Sequence, residues 1–141
     1  MPLRRLRDGF TVLELAIVIA VLAILLGVAA ARYKDLLRLA HEGALEGNLG
    51  ALRSALSMYY ADMEGQYPTD AMSLTVHARY LKSIPLADPP THHAGQAGFS
   101  YAGHGDTSRW GYDNDPDSKA FGTLWVDCTH TDLKGKTWNT Y

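Results

Sequence analysis

Several residues of this 141-residue chain have types and spacing that could do chemistry. Glu14 is the only charge in an apolar run from Phe10 to Ala31. A carboxylate inside a bilayer costs about 2.5–3.5 kcal/mol on insertion scales, so it calls for a partner or a purpose. Asp113-Asn114-Asp115-Pro116-Asp117 places three carboxylates at alternate positions. Oxygen ligands so spaced can wrap a hard cation such as calcium. The stretch is not an EF-hand loop, because Ser118 stands where Gly is needed and Leu124 where the bidentate Glu belongs. A solvated acidic turn is the plainer reading of it. His92-His93, with His104 nearby, offers imidazoles for a transition metal, but in a Gly- and Pro-rich loop solvated histidines are the plainer reading. Cys128 ends the apolar pattern Leu124-Trp125-Val126-Asp127-Cys128 and reads as a small core residue, not a reactive thiol. His41, His77 and His130 are isolated. No Gly-x-Ser-x-Gly elbow, haem-attachment motif, thiol redox pair or zinc-ligand spacing occurs, so the chain does not read as an enzyme.

These residues must be positioned by a few elements. The run from Phe10 to Ala31 holds 22 residues without proline. As a helix it spans about 33 Å at 1.5 Å per residue, enough to cross a bilayer core. Arg4, Arg5 and Arg7 precede it, which predicts a cytoplasmic N-terminus and a single pass. Ala29-Ala30-Ala31 imitates a secretory cleavage site, but the run is longer than the 7–15 residues of a secretory signal and carries Glu14.

The helix is expected to continue to about Met63. Leu45, Leu49, Leu52, Leu56, Tyr59 and Met63 recur at spacings of three and four and share one face. Ala40, Gly43, Gly47, Gly50 and Ser54 do the same on the opposite face. A glycine costs about 1 kcal/mol against Ala inside a helix. Two readings fit the stripe: an exposed, slightly flexible face, or close approach of a second helix. Gly65 is a C-cap candidate with Pro68 beyond. A short helix is predicted from a Thr69 or Asp70 cap to about Arg79. Strands are expected at Gly98–Ala102, Gly122–Thr129 and Lys136–Tyr141, with Thr131–Gly135 a turn joining the last two and Gly103–Ala120 a loop. The tryptophans and tyrosines of this region would suit ligand stacking, but more often form the core of a small sheet on a helix.

The chain is therefore expected to be α+β: a long N-terminal helix, membrane-spanning in its first half, with the second half packed on a small antiparallel sheet. Its predicted parts are 1–9 leader, 10–31 membrane helix, 32–64 helix continuation and 65–141 β-rich domain. Without residues 1–9 the chain loses three basic residues and one acidic residue, and its net charge moves from −2 to −4. That balance excludes a general nucleic-acid binder. The single Cys128 excludes an intramolecular disulfide.

The block Gly9-Phe10-Thr11-Val12-Leu13-Glu14-Leu15-Ala16-Ile17-Val18-Ile19, behind its basic leader, resembles the class III signal of type IV pilins and type II secretion pseudopilins. Gly65-Gln66-Tyr67-Pro68 and Tyr80-Leu81-Lys82-Ser83-Ile84-Pro85 also look like pseudopilins and minor pilins. The resemblance implies cleavage between Gly9 and Phe10 by a prepilin peptidase, which also N-methylates Phe10. It implies that Glu14, fifth in the mature chain, pairs with a neighbour's N-terminal amine. It further implies a filament of this and related subunits, built from an inner-membrane platform into the periplasm or to the cell surface. Gly43, Gly47 and Gly50 would then serve assembly. Calcium is the one cofactor suggested, at Asp113, Asp115 and Asp117, in the region where major pseudopilins hold it. The closest likeness is to the secretion pseudopilins, since many type IV pilins close a C-terminal loop with a disulfide. A type IV pilus subunit, major or minor, or a tip-binding module are the alternatives.

Overall fold

The structure, a computed structural model, describes residues 9–90 and 94–141. The basic leader residues Arg4, Arg5 and Arg7, and His92-His93, lie outside the described residues. The chain divides into two compact units, residues 1–37 and 38–141.

Helix α1 runs from Val12 to Asp62. Thr11 starts it, because its carbonyl accepts the first helical bond, from Leu15 N at 3.2 Å. Among the described residues of the first unit the apolar side chains are all exposed, Ile17, Leu22 and Ile24 included. By length and composition this stretch can cross a membrane.

In the second unit the same helix has a sided surface. Leu45, Leu49, Leu52 and Leu56 are buried, as their spacing predicts, while Tyr59 is half-buried and Met63 exposed. The helix stops where expected. Gly65 N donates to Tyr60 O at 2.9 Å with Glu64 at φ 53° and Gly65 at φ 86°, a left-handed turn that satisfies the last carbonyls. Ala71–Ala78 forms the expected short helical stretch, capped by Asp70, whose carboxylate accepts from Met72 N at 2.9 Å. It is 3₁₀ in character and interrupted at Val76 and His77.

The sheet has three short strands, β1 (Phe99–Ser100), β2 (Trp110–Tyr112) and β3 (Leu124–Val126), in the order β1-β2-β3. It corrects the expectation of an antiparallel sheet in three respects. β1 and β2 pair in parallel, and only β2 and β3 run antiparallel, so the sheet is mixed. β2 lies inside the segment read as loop; its three residues are all buried, too short a run to show periodicity among glycines and aspartates. The expected last strand, Lys136–Tyr141, is instead a Thr131–Thr137 bridge followed by a 3₁₀ turn, Trp138–Thr140. That turn forms because Trp138 N and Asn139 N donate to His130 O and Cys128 O, both at 3.0 Å, which rolls the Trp138 ring into the core.

One hydrophobic cluster joins the helix to the sheet: the four leucines meet Leu74, Phe99, Trp110, Tyr112, Leu124, Val126, Cys128 and Trp138. Polar anchors surround it. Trp110 Nε1 donates to Pro85 O at 2.8 Å, and Tyr112 Oη to Pro68 O at 2.6 Å. Arg53 donates to Leu124 O at 2.8 Å and also to Tyr141 O. The buried Glu42 accepts from Leu133 N at 3.0 Å and from Arg38 Nε at 3.2 Å.

Candidate functional site

The N-terminal site is built on the start of α1. Glu14 is the third residue of the helix, and its carboxylate turns back to the cap. Oε2 accepts from Thr11 N and from Thr11 Oγ1, both at 2.9 Å, while Thr11 Oγ1 accepts from Glu14 N at 3.2 Å. This is a capping box, in which two orphan amides at a helix start are satisfied reciprocally. Thr11-x-x-Glu14 is the sequence signature of this box, so Glu14 has a partner within its own chain. The carboxylate is thus held at the helix start and stays exposed, with the apolar side chains Phe10, Leu13, Ile17 and Val18 exposed around it.

On the second unit the small-residue stripe is open. A Cβ added at Gly43, Gly47 or Gly50 meets nothing within 4 Å, so intramolecular packing does not require these glycines. Ser54 Oγ bonds back to Gly50 O at 2.9 Å.

Asp113, Asp115 and Asp117 follow one another through nested turns. Asp113 Oδ1 accepts from Asp115 N at 3.1 Å, Asp113 Oδ2 from Ser118 Oγ at 2.7 Å, and Asp115 Oδ1 from Asp117 N at 3.0 Å. The backbone closes the segment with Gly122 N donating to Asp113 O at 2.9 Å. Several of these oxygens are therefore engaged by the turn itself.

The aromatic residues divide clearly. Trp110, Tyr112 and Trp138 are fully buried in the cluster with Leu49 and Leu56, whereas Tyr101 is exposed. The Tyr101 hydroxyl donates to Asp70 at 2.8 Å, and partial desolvation followed by that carboxylate pushes its pKa up to about 12. His104 lies against the Trp125 ring, centroids 4.7 Å apart, and His41 sits 3.6 Å from Asp88.

A set of three ligand-type side chains converges that the sequence does not place together: Asp106, Cys128 and His130, with one ligand atom from each all within 4.8 Å of one another. The reading of His130 as isolated is corrected here. Cys128 and His130 are two apart, and their Sγ and Nδ1 lie 3.5 Å from each other, a nearness that the Cys-x-His spacing could have suggested. Asp106 enters from a distant turn, which spacing cannot reveal.

Two comparisons with known proteins bear on the N-terminal site. The family described as "Prokaryotic N-terminal methylation motif" matches residues 4–30. The chain is also similar to the fimbrial protein EcpC of Eikenella corrodens, at 32% identity over 60% of this chain and 58% of the relative. It thus spans about 58% of the length of the curated relative it matches. No solved structure matches the chain at a significant level. The block around Gly9, Phe10 and Glu14 is therefore an N-terminal methylation motif of the type IV pilin kind, and the pilin-like resemblance is supported by the fimbrial relative and by the helix-on-sheet fold.

Proposed function

We propose that this chain is a structural subunit of a type IV pilus-like filament, cut between Gly9 and Phe10 and methylated on the Phe10 amine by a prepilin peptidase. The observation that carries this reading is Glu14. It is a charge held at the mouth of a helix whose apolar side chains from Val12 to Leu37 are exposed. A membrane covers those side chains before assembly, and neighbouring helices cover them afterwards. A positively charged terminal amine of a neighbour gives Glu14 the partner that hydrocarbon does not. The open glycine stripe suits close approach of a second helix. The role is structural, not catalytic. The subunit sits in the inner membrane as a single pass with a cytoplasmic N-terminus, and its partners are copies of itself, related pilin-like subunits and an inner-membrane assembly platform.

Within this class we favour a type II secretion pseudopilin, because the lone, buried Cys128 cannot close a disulfide loop. On that branch, calcium added to the full chain raises its melting temperature through Asp113, Asp115 and Asp117, and a chelator reverses the rise. The pilus reading is favoured by the fimbrial relative. A tip-binding module has less support, because the tryptophans are buried. Deleting the chain from its host separates the readings. Loss of exported protein with surface fibres intact supports the secretion subunit. Loss of fibres with export intact supports the pilus subunit. Unchanged fibres and export overturn both.

A further inference from the structure

The Asp106, Cys128 and His130 cluster is not explained by filament assembly. Cys128 Sγ lies 3.5 Å from His130 Nδ1, and His130 Nδ1 lies 3.6 Å from Asp106 Oδ1. One ring nitrogen thus faces both the thiol and the carboxylate. A nucleophile-activating relay needs the two ring nitrogens to face different partners, so this arrangement does not activate the thiol. Burial, moreover, pushes the Cys128 thiol up, away from the thiolate a nucleophile requires.

Convergence on one point is instead what a cation needs. With a zinc–sulfur bond of about 2.3 Å and zinc–nitrogen and zinc–oxygen bonds of about 2.0–2.1 Å, tetrahedral geometry sets sulfur and nitrogen about 3.5 Å apart, and nitrogen and oxygen about 3.4 Å apart. The two separations that share His130 Nδ1 are 3.5 and 3.6 Å, and the three donor atoms all lie within 4.8 Å of one another. Thiolate, imidazole and carboxylate together suit zinc and its cobalt substitute better than calcium or magnesium.

The surrounding chain holds the three donors in place. Trp138 N and Asn139 N fix the carbonyls of His130 and Cys128. The turn that carries Asp106 is clamped by the fully buried Asp127, whose two carboxylate oxygens accept from Gly105 N and Thr107 Oγ1, each at 2.5 Å. Ser108 N adds a bond to Asp127 O at 3.1 Å, and Thr129 N orients Asp106 Oδ1 at 3.0 Å. Cys128 is buried, while Asp106 is exposed and His130 half-buried, so two of the three donors meet solvent.

We propose that Asp106, Cys128 and His130 form a zinc-class metal site, with a fourth position for water or an outside ligand. Binding releases the Cys128 thiol proton to solvent as the Zn–S bond forms. The ion then ties the 105–107 turn to the end of β3 and stabilises the unit by binding its folded form alone.

The test is a titration of the full chain in detergent micelles, reduced and stripped of metal, with cobalt and then zinc. One cobalt per chain is expected, with a thiolate-to-cobalt charge-transfer band, tetrahedral ligand-field bands and displacement by zinc. Zinc should raise the melting temperature. Cys128→Ser should abolish the charge-transfer band, and Asp106→Asn or His130→Gln should weaken binding by about tenfold or more. Folding of each variant is checked by circular dichroism without metal. Cobalt binding without a thiolate band, which other histidines would give, overturns the site. So does a thiolate band whose affinity is unchanged in both Asp106→Asn and His130→Gln. If the variants fail to fold, the wild-type titration decides: no stoichiometric thiolate band means no site.

Discussion

Thr11 and Glu14 hold each other: the Glu14 carboxylate accepts from both the amide and the hydroxyl of Thr11, and the Thr11 hydroxyl accepts from Glu14 N. The carboxylate therefore has a local role in starting the helix as well as the intermolecular role proposed for it. Two substitutions separate them. Gln also serves at this position of a capping box, so Glu14→Gln should keep the helix start but remove the charge. Thr11→Ala should weaken the cap by about 0.5–2 kcal/mol while keeping the charge. Filament assembly is expected to survive Thr11→Ala and to fail in Glu14→Gln, as seen by electron microscopy of sheared fractions. The opposite pattern would make Glu14 a capping residue only.

The two faces of α1 in the second unit should respond differently. Leu52 is fully buried, so Leu52→Ala should lower the stability of that unit by about 2–5 kcal/mol. Gly47 has open space around its Cα, so Gly47→Leu should leave the unit folded and gain up to about 1 kcal/mol of helix propensity. All three tryptophans lie in this unit, so their fluorescence reports its melting in the full chain. Assembly should fall in Gly47→Leu, because close helix approach needs small residues. Equal melting losses in the two variants would show that the glycine face is covered within one subunit.

Gly111 is opposite Trp125 in the β2–β3 pair, and the indole lies over it. A Cβ at Gly111 would stand 2.0 Å from Trp125 Cε2, so the ring must move. Gly111→Ala should destabilise the unit by about 1–3 kcal/mol. Trp125→Leu in the same chain should recover part of that loss, a coupling read from a double-mutant cycle. Purely additive losses would show that the ring does not cover the glycine.

The last turn has a pH signature. The Tyr141 hydroxyl donates to Asp132 Oδ2, and Lys134 N and Lys136 N donate to Asp132 Oδ1, both at 2.8 Å. These bonds, the tyrosine's foremost, hold the Asp132 carboxyl below its usual range, while the same pairing raises the Tyr141 phenol. The depressed carboxyl stabilises the fold above its unfolded pKa of about 4, and that contribution is lost as pH falls through the lower folded value. The raised phenol stabilises it fully below about pH 10, and that contribution is lost as pH rises toward the folded value. Tyr141→Phe should therefore lower the melting temperature most between these limits and least at the two extremes. A uniform loss at all pH values would show that the effect does not come from the Tyr141–Asp132 pairing, since Phe keeps the ring stacked on Trp138, 4.9 Å between centroids.

The long helix, its stop at Gly65 and its buried leucine face were legible because 3.6-residue periodicity persists over many turns and glycine marks the end. The Asp70-capped stretch was legible from a single cap residue. The sheet was legible only in part. Strands of two or three residues carry no period, and the parallel β1–β2 pairing depends on how the intervening loop folds back. The N-terminal site was readable as a motif because its residues are contiguous. The Asp106, Cys128 and His130 cluster was not, because one member arrives from 22 residues away by way of the turn that Asp127 holds.

The most direct measurement of the central claim is the intact mass of the protein extracted from its native membrane. A mature chain beginning at Phe10 and heavier by one methyl group on its amine is the expected result, with Gly9→Val accumulating as the full-length precursor. A mature chain beginning near Arg32, or a wild-type chain never cut, would contradict the account.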